Sequence, residues 1–151
     1  MATDLPFEPL GSAASRQLPR KLRVLVADDN RDVVLTLSML VREEGHEVQG
    51  VYNGMEALTT ARMFTFDAIV LDIEMPELSG YAIARELRSF YYRSRCPLLI
   101  ALTGKWNRGS EKLLSRALGF DHHFEKPCDP NRLLAALRPL SLLPPGDLSH
   151  G

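Results

Sequence analysis

The sequence predicts an α/β fold in which a parallel sheet is wound with helices on both faces. Three observations point there. Short apolar runs alternate with amphipathic stretches along the chain, five of each. The runs Ala68-Ile69-Val70-Leu71 and Leu98-Leu99-Ile100-Ala101-Leu102 are apolar at every position, as in strands covered on both faces. All but the short second run end in polar residues: Asp28-Asp29-Asn30, Asp72, Thr103 and Glu125-Lys126. Open α/β sheets bind their ligands at the carboxyl ends of the strands.

Bulk properties narrow the class. With 151 residues, 45% hydrophobic and 25% charged, the chain holds enough apolar material for one core and too little for two. Its net charge of −1 offers no basic surface for nucleic acid or an anionic membrane, and no apolar run reaches the length of a membrane span. Cys96 and Cys128 are far apart and outside any C-x-x-C spacing, which argues against a disulfide framework and for a reducing compartment. Acidic residues precede the first basic one at the N-terminus and no apolar core follows, so no secretory signal is read and a cytoplasmic location is expected.

Taken in order, the segment 1–20 mixes Pro, Gly, Ser and Ala without periodicity and reads as a flexible leader, with the ordered domain expected over 21–140. Strand one spans 22–27. Its polar triplet Asp28-Asp29-Asn30 caps the first helix, whose Val33, Val34, Leu37, Leu40 and Val41 recur at helical spacing before Gly45 ends it. Capping needs one of the three; two adjacent carboxylates need a compensating cation. Strand two, 47–51, alternates and is short and polar, as at a sheet edge. Asn53-Gly54 reads as a turn, followed by a helix over 55–64. Strand three, 68–72, stops at Asp72. Pro76 and Gly80 lie in the loop before a helix over 81–90, with Ile83, Ala84 and Leu87 on one face. Strand four, 98–102, ends in Thr103-Gly104, and a helix is expected over 107–118. Strand five, 121–124, runs into Glu125-Lys126-Pro127. Asp129-Pro130 opens the last helix, with Leu133, Leu134 and Leu137 inward, and 141–151 reads as a tail.

Right-handed crossovers between such elements favour the flavodoxin-like (βα)5 arrangement, a five-stranded parallel sheet in the order 2-1-3-4-5. That order sets Asp28 and Asp29 beside Asp72, with Thr103 and Lys126 at the same edge. Three convergent carboxylates cannot all stay ionised unaided, and a hard divalent cation, Mg²⁺ or Mn²⁺, is the natural partner. Lys126 supplies a compact positive charge and Thr103 a hydroxyl, a set suited to phosphoryl transfer with Asp72 as nucleophile.

Four stretches in order carry a resemblance to the receiver domain of two-component response regulators. They are Val-Ala-Asp-Asp-Asn at 26–30, Val-Leu-Asp-Ile-Glu-Met-Pro at 70–76 with Gly80, Ala-Leu-Thr-Gly at 101–104, and Glu-Lys-Pro at 125–127. The resemblance implies that Asp72 accepts phosphate from a histidine kinase or histidine phosphotransfer protein, the domain catalysing its own phosphorylation and dephosphorylation. Asp28, Asp29, Asp72 and the main-chain carbonyl of Glu74 would bind Mg²⁺. Thr103 would move to the phosphate, Lys126 would pair with it, and Lys126–Pro127 would be cis. Output would pass to a downstream protein through the face of the fourth helix, fifth strand and last helix.

One departure concerns the switch. The family places Tyr or Phe on strand five where this chain has His123, which would alter the coupling of Thr103 to the aromatic switch. His123 is read either as an imidazole titrating near neutral pH or, in preference, as a neutral ring filling the aromatic slot. His122 and His123 point to opposite faces of a strand and do not make a metal site together. Glu74 and Lys105, two residues beyond Asp72 and Thr103, carry opposite charges at the rim. They are read either as a salt bridge that slows attack by water or as two solvated side chains. Trp106 is either a partner contact or an aromatic packed on its own loop, and Arg85, Arg88, Arg93 and Arg95 read as a solvated basic flank. Rival readings are a phosphorylation-independent docking or dimerisation module and a receiver fragment of a hybrid histidine kinase. A phosphohydrolase of the haloacid dehalogenase type would need a second Asp two residues after Asp72, where Glu74 stands.

Overall fold

The computed structural model describes residues 19–104 and 119–143. The helix expected over 107–118 lies outside these residues, as do Lys105, Trp106, 1–18 and 144–151. The elements are β1 (Arg23–Ala27), α1 (Arg31–Glu43), β2 (Glu47–Val51), α2 (Gly54–Met63), β3 (Ala68–Asp72), α3 (Gly80–Phe90), β4 (Leu98–Thr103), β5 (His122–Glu125) and α4 (Pro130–Ser141). All strand pairs are parallel, in the order β2-β1-β3-β4-β5.

Strand periodicity sorts the core into two layers. Leu25, Ala27, Ile69, Leu71, Leu99 and Ala101 face α2 and α3, packing on Ala57, Ala61, Ile83, Ala84 and Leu87. Their neighbours Val24, Val26, Val70, Ile100 and Leu102 face α1 and α4, against Val34, Leu37, Val41, Leu133 and Leu137. The central strands β3 and β4 are therefore buried at every position.

Side-chain caps start the helices. Asn30, Asn53, Ser79 and Asp129 each accept an amide hydrogen from the first turn. Asn53-Gly54 is thus not a separate turn: Asn53 accepts from the Glu56 amide at 2.8 Å and Gly54 is the first helical residue. Strand five begins one residue later than the apolar pattern suggests. Asp121 turns its carboxylate back to accept the Leu99 amide (2.8 Å) and to pair with Arg88 at 3.1 Å.

The opposite, amino-terminal edge of the sheet is tied by ionic contacts. Asp67 accepts from the Arg23 amide at 2.8 Å and from Arg20 at 2.9 Å. Arg20, read as the last leader residue, also donates its amide to Ser141 (2.8 Å) and its Nε to Leu143 (3.1 Å), joining the chain entry to the end of α4. Arg88 is not part of a solvated flank. It donates to the Gly119 carbonyl and pairs with Asp121, while Arg85, Arg93 and Arg95 are exposed.

Candidate functional site

Register brings the polar strand ends into one row. Ala27 pairs with Leu71, so the next residues, Asp28 and Asp72, emerge side by side. Thr103 pairs with Glu125, and the Lys126 amide donates to the Thr103 carbonyl at 2.8 Å, so Lys126 leaves β5 next to Thr103. Crossovers departing to opposite faces open a crevice above β1 and β3.

Asp28 is fully buried, and Asp72 and Thr103 are each only 2% exposed, whereas Asp29 faces solvent. Lys126 Nζ lies 2.7 Å from Asp28 Oδ2 and 3.2 Å from Asp72 Oδ1. The other Asp28 oxygen accepts the Asn30 amide at 2.9 Å, and Asp72 Oδ1 accepts the Glu74 amide at 3.1 Å. Burial, and then the charge on Asp28, push the Asp72 carboxyl up to about 6, against the opposing pull of the Glu74 amide and Lys126. Burial disfavours the Lys126 ammonium, but Asp28 and Asp72 outweigh it and raise its pKa. The Lys126–Pro127 peptide is cis.

One oxygen from each of Asp28, Asp29 and Asp72 lies within 4.8 Å of the others. Among the described residues three carboxylates face one ammonium, and the buried Asp28 Oδ2 has an ionic contact with Lys126 but accepts no well-aligned hydrogen bond. An all-oxygen donor set with excess negative charge and one solvent-facing member fits a hard divalent cation that retains water.

The family model for the response regulator receiver domain matches residues 24–138. The chain belongs to this family. It is similar to response regulator MprA of Mycobacterium avium (strain 104), 35% identical over 119 residues that cover 79% of this chain and 50% of that protein. This receiver spans about half the length of such curated relatives, including response regulator GtcR of Aneurinibacillus migulanus, of which it covers 46%. Among solved structures, the receiver domain of Francisella response regulator 1452 superposes with a TM-score of 0.72 at 26% identity, covering 80% of this chain and 97% of that one. The receiver domain of the sensor histidine kinase PA1611 from Pseudomonas aeruginosa PAO1, solved with magnesium coordinated in its active-site cleft, gives 0.68 at 26% identity, covering 81% and 98%. The fold and the two-component signalling class follow from these matches.

His123 of this receiver is half-buried on β5 opposite Ala101, its ring centroid 6.3 Å from that of Phe120. His122 is on the other face, stacked on Phe124 at 5.8 Å. The two histidines therefore diverge. Glu74 is exposed, and its suggested partner Lys105 lies outside the described residues.

Two glycines were not recognised as site determinants from sequence. A methyl on Gly80 would sit 2.6 Å from the Asp72 carbonyl oxygen and 2.9 Å from Ile73 Cα. A methyl on Gly54 would sit 2.7 Å from Leu78 Cβ and 2.9 Å from its carbonyl carbon. Gly80 belongs to a recognisable motif; nothing local marks Gly54, because its close neighbour is 24 residues away. Among the described residues no helix is long and apolar enough to cross a membrane.

Proposed function

We propose that this receiver is a phosphorylation-controlled switch in which Asp72 takes a phosphoryl group from a histidine kinase or histidine phosphotransfer protein. The carrying observation is Asp72 itself: a carboxylate 2% exposed at the end of β3, flanked by Asp28 and contacted by Lys126 at 3.2 Å. An Asp72 carboxylate oxygen attacks phosphorus, the P–N bond to the donor imidazole breaks, and an acyl phosphate forms as the imidazole leaves and takes a proton. Asp28, Asp29, Asp72 and the Glu74 carbonyl would hold Mg²⁺, which supplies charge neutralisation at the phosphoryl oxygens. The Glu74 amide fixes the carboxylate rotamer by holding Oδ1. Lys126, already poised between Asp28 and Asp72, meets the developing charge, and the Thr103 hydroxyl lies on the adjoining strand for the third oxygen. The added charge and acceptor oxygens then shift Thr103 and Lys126, and with them the β5–α4 side that engages a downstream protein.

Intact mass after incubation with acetyl phosphate and Mg²⁺ tests this. One phosphoryl adduct that requires the metal and is lost in Asp72→Asn is expected. If neither acetyl phosphate nor a kinase donor yields it, the domain is a docking module instead.

A further inference from the structure

We infer that Gly54, at the start of α2, is a positioning residue for the loop that carries the phosphorylation chemistry. The inference rests on the proposed function of Asp72. The loop after β3 is closed at its base by the Gly80 amide on the Ile73 carbonyl at 2.9 Å, and Ile73 is held to β4 through its amide on Leu102 at 2.9 Å. Within it the Leu78 amide bonds the Pro76 carbonyl at 2.7 Å, a three-residue turn that forces Glu77 to a φ of 69°. A non-glycine residue in the left-handed region is strained and persists only where its surroundings hold it. The holding contact is on α2: Leu78 seats its carbonyl and Cβ in the space where Gly54 lacks a side chain. Gly54 itself is buried and lies three residues after Val51, whose carbonyl accepts the Asp28 amide at 3.2 Å, so the helix end has little room to retreat.

The consequence reaches the site by geometry. Met75 is buried in the core, and Ile73 and Gly80 are pinned by hydrogen bonds. The loop is fixed at both ends, so a displacement of Leu78 is taken up within 74–79 and reaches Glu74 through Pro76 and the buried Met75. That stretch holds the Glu74 amide that bonds Asp72 and the Glu74 carbonyl assigned to the cation. Gly54 touches neither the cation site nor the phosphoryl group; it acts through Leu78.

The test uses the full chain and the variant Gly54→Ala. Amide hydrogen exchange on the metal-free protein is expected to show faster exchange at Glu74 and Leu78. Calorimetric titration with MgCl₂ and labelling by acetyl phosphate are each expected to weaken about tenfold, the scale of losing a group that orients a metal ligand. Gly50→Ala is the control. Its methyl would meet Val34 Cγ1 at 2.5 Å, on the other face of the sheet, so it lowers stability while leaving loop exchange and Mg²⁺ affinity unchanged. Wild-type exchange and affinity in Gly54→Ala overturn the inference, as does a Gly50→Ala variant that reproduces every loss. Should Gly54→Ala not fold, Leu78→Gly frees the loop at the same contact with α2 intact, and unchanged Mg²⁺ affinity there is equally fatal. A wild-type protein that neither binds Mg²⁺ nor labels sinks the proposed function, while the exchange data still decide the role of Gly54.

Discussion

Gly80→Ala sets two effects of opposite sign against each other. In an exposed helix the change is favourable by up to about 1 kcal/mol, because alanine loses less backbone entropy on folding. Here the new methyl meets the Asp72 carbonyl oxygen at 2.6 Å and Ile73 Cα at 2.9 Å, both backbone atoms of a strand bonded to β4. Neither atom is the end of a flexible side chain, so relief requires α3 to move outward or the end of β3 to shift. Overpacking of this kind costs about 1–3 kcal/mol, and the loss exceeds the propensity gain. The expected net effect is destabilisation by about 1–2 kcal/mol, read as a lower urea midpoint at unchanged slope. Acetyl phosphate labelling slows too, because the displaced carbonyl belongs to Asp72. A variant as stable as wild type, or more so, would refute the reasoning: the backbone would have yielded without cost.

Other predictions follow from the electrostatics and the lower edge of the sheet. In EDTA, Asp72 has a folded-state pKa of about 6 against an ordinary 3.8, so the folded protein binds more protons and stability from this group is lost as pH rises between those values. Lowering the pH from 7 to 5 therefore adds about 1 kcal/mol to wild type relative to Asp72→Asn; equal pH profiles for the two proteins contradict the burial argument. His46, whose pKa burial lowers, opposes this trend in both proteins and cancels in the difference. Saturating Mg²⁺ is expected to raise the thermal midpoint of wild type and to leave Asp28→Asn nearly unmoved, since that substitution removes one of the three carboxylates. Arg88→Met removes charged hydrogen bonds to the Gly119 carbonyl and to Asp121 and should cost about 1.5–3 kcal/mol in urea unfolding with no change in Mg²⁺ affinity.

Sequence alone determined the order of the strands and of the four described helices, the parallel topology and the identities of Asp28, Asp29, Asp72, Thr103 and Lys126 as strand-end residues. Such information is local. Apolar runs, caps and breakers act over a few residues, and crossover handedness leaves few ways to assemble them. Tertiary structure alone decided how those residues divide their work. Asp28 and Asp29 are adjacent, yet one is wholly buried against Lys126 and the other faces water, a difference set by the side from which α1 leaves the sheet. Lys126 bridges Asp28 and Asp72 only because register aligns the ends of β1, β3 and β5. The same holds for Arg88, which looks like one of four surface arginines until Gly119 and Asp121 fold back onto it. Gly54 is the extreme case: its value lies in an atom it lacks, and that absence has meaning only when the chain brings Leu78 against it. Long-range complementarity of this kind depends on the joint positions of distant segments, which no window of sequence contains.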